Sequence, residues 1–240
     1  MGRGVIGSAT GAVVGVGLLA VGALVGLGVA GCGVLGSDST EVRSYQVTDS
    51  VQRLDLRNED GKVELRAGDG PVRVTETLTF RGSEPSTSHA VQDGTLNLRN
   101  QHCQHCSVSY LVQLPAGTAV NVQTSAGKVI LAGLAGDVTV DASAGAVDGT
   151  GLRSPHTSVH GRAGKITLAY DAAPSTVDAR TSAGEVDISV PGDGGPYAVD
   201  ASTSAGSTQI AVPTDPGASR KITAHTTAGK IVISPTGPAG

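Results

Sequence analysis

Four potential soft ligands fall within five residues at His102-Cys103-Gln104-His105-Cys106. Thiolates and imidazoles at that density suit a metal ion, and a Cys-x-x-Cys pair suits disulfide exchange. A tetrahedral site is rarely wrapped by one pentapeptide, and the only other cysteine in the chain is Cys32. Thioredoxin-style chemistry needs the pair at a helix N-terminus after a strand. Here the pair leads into the strand-like run Val108-Ser-Tyr-Leu-Val-Gln-Leu114. A structural disulfide between Cys103 and Cys106 asks least of the chain, with metal binding and redox work as the alternatives.

Two other motifs dissolve on inspection. Gly26-Leu-Gly28-Val-Ala-Gly31 matches a dinucleotide fingerprint, but it lies within an uninterrupted apolar segment with no preceding strand of a βαβ unit. Ser125-Ala-Gly-Lys128 matches the S-x-x-K pattern of penicillin-recognising enzymes, which needs the serine at the start of a helix. The same tetrad returns as Arg162-Ala-Gly-Lys165 and Ser182-Ala-Gly-Glu185, so it belongs to a repeat. The chain contains no G-x-S-x-G elbow, phosphate loop or H-E-x-x-H.

That repeat organises the second half of the chain. Its glycines are Gly127, Gly145, Gly164, Gly184, Gly206 and Gly229, spaced by 18, 19, 20, 22 and 23 residues. Each follows an alanine. Seven and five residues before it the positions are mostly aliphatic, as in Val120 and Val122 or Val177 and Ala179, with polar residues between them. Two and four residues after it the apolar set resumes, as in Ile166 and Leu168. Period-two alternation marks a strand with one buried face. The change of parity across the glycine requires a corner that absorbs one residue, which glycine does cheaply. A period near 20 residues signals one unit copied and stacked. An earlier copy has Asp60-Gly61 at its corner, and the runs 72–80, 95–99 and 108–114 between it and Gly127 are expected to form an antiparallel excursion. Gly149 and Thr208 occupy inward positions and weaken the second and fifth copies.

On this frame Asp178 and Asp200 take the same outward position in successive copies, with Arg180 beside them. Adjacent rungs would set the two carboxylates about 5 Å apart, a spacing that suits a retaining glycoside hydrolase or a calcium ion. A solvated face with Arg180 relieving the repulsion accounts for them more simply. His160 and His225 fall on outward positions of non-adjacent rungs, and no role is attached to them.

Composition sets the boundaries. Four tyrosines and one phenylalanine are the only aromatic residues, tryptophan is absent, and the net charge is −4 with no basic run. Nucleic-acid binding lacks both its electrostatic footprint and its stacking platforms. Residues 4–36 carry no charged side chain and follow a lone Arg3, which reads as an export segment. Its end, Val29-Ala30-Gly31-Cys32, is similar to a bacterial lipobox, implying lipidation at Cys32. An uncleaved membrane-spanning anchor is the alternative, since the stretch exceeds the roughly 20 residues needed to span a bilayer. Either route puts the repeat domain outside the cytoplasmic membrane, where a Cys103–Cys106 pair is expected to be oxidised.

The Thr-Ser-Ala-Gly-Lys/Glu-Val segments (124–129 and 181–186), the Val-Gln-Leu-Pro115-Ala-Gly approach to them and the upstream Cys-x-x-Cys together resemble a large bacterial family of exported proteins taken to be adhesins. The resemblance implies a β-solenoid at the cell surface with a role in adhesion or envelope sensing. It supplies no catalytic residues.

The expectation is an all-β chain. Residues 1–32 are an export signal or anchor, and 33–40 a short linker. Residues 41–234 form a single-stranded right-handed β-helix (β-solenoid) of about seven rungs with an antiparallel N-terminal excursion, and 235–240 a frayed tail. The corners are Gly61 and the six repeat glycines. The chain is expected to be a non-enzymatic interaction module without cofactor, anchored through lipid on Cys32 or an N-terminal helix, with a surface protein or cell-wall glycan as partner. The rival readings are a polysaccharide-active β-helix enzyme and a metal or redox protein centred on residues 102–106.

Overall fold

A computed structural model describes residues 38–100 and 104–236. The lipobox with Cys32, the export segment, Cys103 and residues 237–240 lie outside the described residues. No helix among the described residues is long and apolar enough to cross a membrane.

The chain opens on β1 (Ser39–Val47) and makes its first strand–corner–strand unit from β2 (Arg53–Asp60) and β3 (Val63–Ala67). The excursion is β4 (Val72–Phe80), β5 (Thr87–Gln92), β6 (Thr95–Asn100) and β7 (Cys106–Leu114). The remaining units are β8 (Ala119–Ala126) with β9 (Val129–Ala132), β10 (Val138–Ala144) with β11 (Val147–Leu152), and β12 (His156–Ala163) with β13 (Ile166–Tyr170). They continue with β14 (Thr176–Ala183) and β15 (Val186–Val190), β16 (Ala198–Ala205) and β17 (Thr208–Ile210), and β18 (Lys221–Ala228) and β19 (Ile231–Pro235).

The strand before each corner joins a nine-stranded sheet, in the order β16-β18-β14-β12-β10-β8-β2-β6-β5. The strand after it joins a ten-stranded sheet, β1-β4-β7-β3-β9-β11-β13-β15-β19-β17. The pairing within the repeats is parallel, rung on rung, as in a β-solenoid. The inward aliphatic rows of the two sheets, among them Val122, Val140, Val159 and Leu131, Leu168, Ile188, meet in one core. Each fully buried aliphatic side chain contributes roughly 1.5–3 kcal/mol, which is how a chain so poor in aromatics holds together.

The corners explain the Ala-Gly signature. At Gly164 φ is +140°, and an added Cβ would stand 2.0 Å from the carbonyl oxygen of Gly145 on the neighbouring rung. Both the backbone conformation and the space therefore demand glycine. The same contact links Gly61, Gly127, Gly145, Gly164, Gly184, Gly229 and Gly206 in that order. Beside it runs a row of inward hydroxyls: Thr181, Thr226 and Thr203 donate to the carbonyls of Gly164, Gly184 and Gly229 at 3.5, 3.0 and 3.1 Å.

The strand pairing refines several expectations. The excursion is antiparallel where β4 meets β1 and β7 and where β5 meets β6, but the runs 95–99 and 108–114 each have a parallel neighbour as well. β6 lies parallel to β2, with Leu96 and Leu98 beside Leu54 and Leu56, and β7 lies parallel to β3. β6 and β7 thus stack on β2 and β3 as a further pair, and the antiparallel neighbours in this region are supplied by β1, β4 and β5.

The rungs do not stack in chain order either. β18–β19 is inserted between β14–β15 and β16–β17, leaving the latter at the end of the stack. The physical reason is burial. Ile222, Ala224, Ile231 and Ile233 are fully buried in the inserted unit, whereas the edge unit has only Val199, Ala201, Thr208 and the 42 % exposed Ile210 at those positions. The poorer copy takes the open end.

The weakness of Gly149 is compensated. The register shifts after it, and buried Leu152 occupies the space its side chain would have filled. Finally, β1 begins at Ser39, ahead of residue 41, and the tail is paired further than expected. Pro235 lies in register with Val190, and the Thr236 amide donates to the Val190 carbonyl at 2.8 Å.

The rung order has a direct consequence for exchange kinetics. Amide hydrogens of β18 are expected to exchange more slowly than those of β16, although β18 lies nearer the chain's end. Native-state hydrogen exchange read by mass spectrometry checks this, and faster exchange in β18 would restore chain-order stacking.

Candidate functional site

The outward positions of the nine-stranded sheet form straight polar rows. Six residues before each corner come Asp55, Asn121, Thr139, Ser158, Asp178, Thr223 and Asp200 in stack order, and four before it Arg57, Gln123, Asp141, His160, Arg180, His225 and Ser202. Two residues before the corner lie Glu59, Ser125, Ser143, Arg162, Ser182, Thr227 and Ser204. Neighbouring members of a row are about 4.8 Å apart, the spacing of hydrogen-bonded strands.

The inserted rung separates the expected acid pair. Asp178 is in register with Thr223, and Thr223 with Asp200, so the two carboxylate-bearing positions are two strand spacings apart, about 9–10 Å. Neither is the adjacent partner that a shared calcium ion or a retaining hydrolase would need. Each has its own basic neighbour instead. The Arg180 Nε is 3.0 Å from Asp178, and the His225 Nε2 is 3.5 Å from Asp200. His160 lies between Asp141 at 3.5 Å and Asp178 at 3.9 Å, and Ser202 Oγ is 2.6 Å from His225 Nδ1. The register thus places both histidines, which had no assigned role, on either side of Arg180.

At the opposite end of this face lies a shallow recess lined by Asp38, Glu59, Asp60, Arg81, His105 and Cys106. Arg81 anchors it, donating its backbone N–H to the His105 carbonyl at 3.1 Å and pairing with Asp38 at 3.0 Å. Among the described residues no three His, Cys, Asp or Glu side chains are placed to share a metal ion. The Cys103–Cys106 pairing itself involves a residue outside the described set.

A family model, Toastrack DUF4097, matches residues 45–234, most of the chain and nearly all of the described strands. The chain belongs to the Toastrack DUF4097 family. No curated protein matches it. Among solved structures, one titled a putative cell adhesion protein, from Clostridium sporogenes, is 11 % identical with a TM-score of 0.51, covering 83 % of this chain and all of its own. A second, titled a putative adhesin, from Bacteroides fragilis, is 14 % identical with a TM-score of 0.48, covering 82 % of this chain and 97 % of its own. At these identities the first likeness shows the fold alone.

The Toastrack scaffold holds one acidic group that the sequence reading passed over. Glu76 shares the inward parity of Val72, Val74 and Leu78 on β4 and is 1 % exposed. Tyr45 on β1 and Thr87 on β5 each donate a hydroxyl hydrogen to one of its carboxylate oxygens, both at 2.8 Å. Tyr45 also stacks on His89, with ring centroids 4.2 Å apart, so strands of both sheets close over the end of the core. Burial, reinforced by the Glu76 charge, pushes the phenols of Tyr45 and Tyr110 well above their ordinary range. The signal was available as a carboxylate at an inward position, and its partners were not, because β1 and β5 had not been recognised as strands.

The outer face of the ten-stranded sheet is stitched by ions. Lys62 bonds Glu64 at 2.7 Å, Arg66 bonds the same carboxylate from the other side, and Lys128 reaches Asp148 at 2.5 Å. The hydrogen bond from Lys62 holds the Glu64 carboxyl below the usual carboxylate range, against an opposing push from burial, and Arg66 adds to the lowering. A carboxylate depressed in the folded state stabilises it above the unfolded-state pKa, and that stabilisation is lost as the pH falls through the folded-state value. Glu64→Gln is expected to lower stability by about 1 kcal/mol at pH 7. The difference from the parent should shrink as the pH is lowered from 7 to 3, measured by urea unfolding at both pH values. A gap of the same size at pH 3 would contradict this account.

Proposed function

We propose that the chain is a non-enzymatic interaction module displayed outside the cytoplasmic membrane, binding through the polar face of the nine-stranded sheet. The observation that carries this is the face itself, a rigid surface on which Asn, Gln, Arg, His, Asp, Ser and Thr side chains stand in rows at fixed spacing. Stacked-rung proteins use such extended surfaces, where many weak hydrogen bonds add up, rather than one deep pocket. The adhesion names carried by the two solved relatives point the same way. In this reading Cys32 carries the lipid that tethers the domain, or the export segment stays as a membrane helix. Cys103 and Cys106 close as a disulfide.

A strain lacking the chain should lose surface adhesion or alter its envelope-stress response, and the full chain should restore it. A Cys32→Ala version should restore neither and should leave the membrane fraction if lipid is the tether. Unchanged adhesion and stress response in the deletion strain would refute the module.

A further inference from the structure

We propose that the His160–Arg180–His225 row is the oxyanion seat of a groove for an acidic polysaccharide laid along the solenoid axis. The inference rests on the sheet-face reading above and names its ligand class. A recess of about 360 Å³ is lined by these three side chains together with Gly161 and the hydroxyl-bearing residues Thr181, Ser182, Thr226 and Thr227. The recess is lined by one guanidinium, two imidazoles and hydroxyl groups, and by no carboxylate.

The acids near it lie outside that lining. Asp141 neighbours His160 on the β10 side, Asp178 sits beside His160 and Arg180, and Asp200 approaches His225 from β16. They flank the row, and Asp178 lies 3.0 Å from the Nε of Arg180, whose guanidinium has five donors in all. An oxyanion in the recess would collect charge-assisted hydrogen bonds from successive rungs.

His160 and Gly161 also line a second recess that runs on past Gln123, Ser125 and Ser143, where the guanidinium groups of Arg57 and Arg162 stand beside the carboxylates of Glu59 and Asp141. The two together form a trough crossing the strands, whose walls offer amide and hydroxyl partners to a hydroxyl-rich polymer. A protein partner held by buried hot spots would need aromatic or apolar anchors. The large hydrophobic side chains exposed among the described residues, Val42, Leu111 and Ile210, all belong to the ten-stranded sheet. The partner that fits is therefore a carbohydrate with carboxylate or sulfate groups.

The test uses the full chain in detergent micelles with fluorescent oligogalacturonate, dextran sulfate, neutral dextran and poly-glutamate as probes. Oligogalacturonate or dextran sulfate should bind, neutral dextran and poly-glutamate should not, and the comparison of the two acidic glycans tells a carboxylate seat from a sulfate seat. Arg180→Gln should weaken binding about tenfold, as should a His160→Gln, His225→Gln double variant, with the thermal midpoint unchanged. Equal binding of neutral dextran, equal binding of poly-glutamate, or indifference to Arg180→Gln would each overturn the proposal. Failure of every glycan to bind while the complemented strain still adheres would overturn it and leave the interaction module standing.

Discussion

Everything in this fold depends on how closely two backbones pass at the corner. There the Cα of one glycine rides over the carbonyl of the next, with no space for a Cβ, from Gly61 through to Gly206. That approach keeps the strand pairing continuous through the bend, since the Gly164 amide still reaches the Ala183 carbonyl at 2.9 Å and the Ile166 amide the Glu185 carbonyl at 2.8 Å. Because the corner preserves register, the aliphatic rows stay in line inside and the polar rows stay in line outside. The functional surface is a by-product of the same constraint that builds the core.

A stack of this kind has two ends, and the chain treats them differently. At one end β1, β4 and β5 reverse direction, and Tyr45, Glu76, Thr87 and His89 tie the two sheets together. A buried carboxylate with both oxygens hydrogen-bonded is tolerable where an unpartnered one would not be. At the other end the weakest unit, β16–β17, lies outermost with its inward positions half open. Placing Ile222 and Ile231 one rung further in buries the better apolar set on both sides.

The repeat was legible because its signal is local. Parity before and after each Ala-Gly, and the glycine requirement itself, are set within a dozen residues, so strand, corner and inward rows can be read without knowing what packs against them. Rung order is not local. β16 and β18 both present the pattern that pairs with β14, and the choice between them is decided by burial at the stack's end, which no window of sequence contains. The reading of Asp178 and Asp200 as neighbours failed for that reason, and the grouping of His160, Arg180 and His225 went unseen for the same one. β5, with His89 and no strong alternation, gave no strand signal. Glu76 looked like part of a polar strand until β1 and β5 supplied its donors.

The most direct test compares two glycine-to-alanine changes by thermal unfolding. Gly164 lies in the corner column, whereas Gly117 has nothing within 4 Å of where its Cβ would stand. Gly164→Ala should cost several kcal/mol, on the order of the largest single-site effects, while Gly117→Ala should be close to neutral. Equal midpoints for the two variants would mean that the corner contact does not hold the stack together.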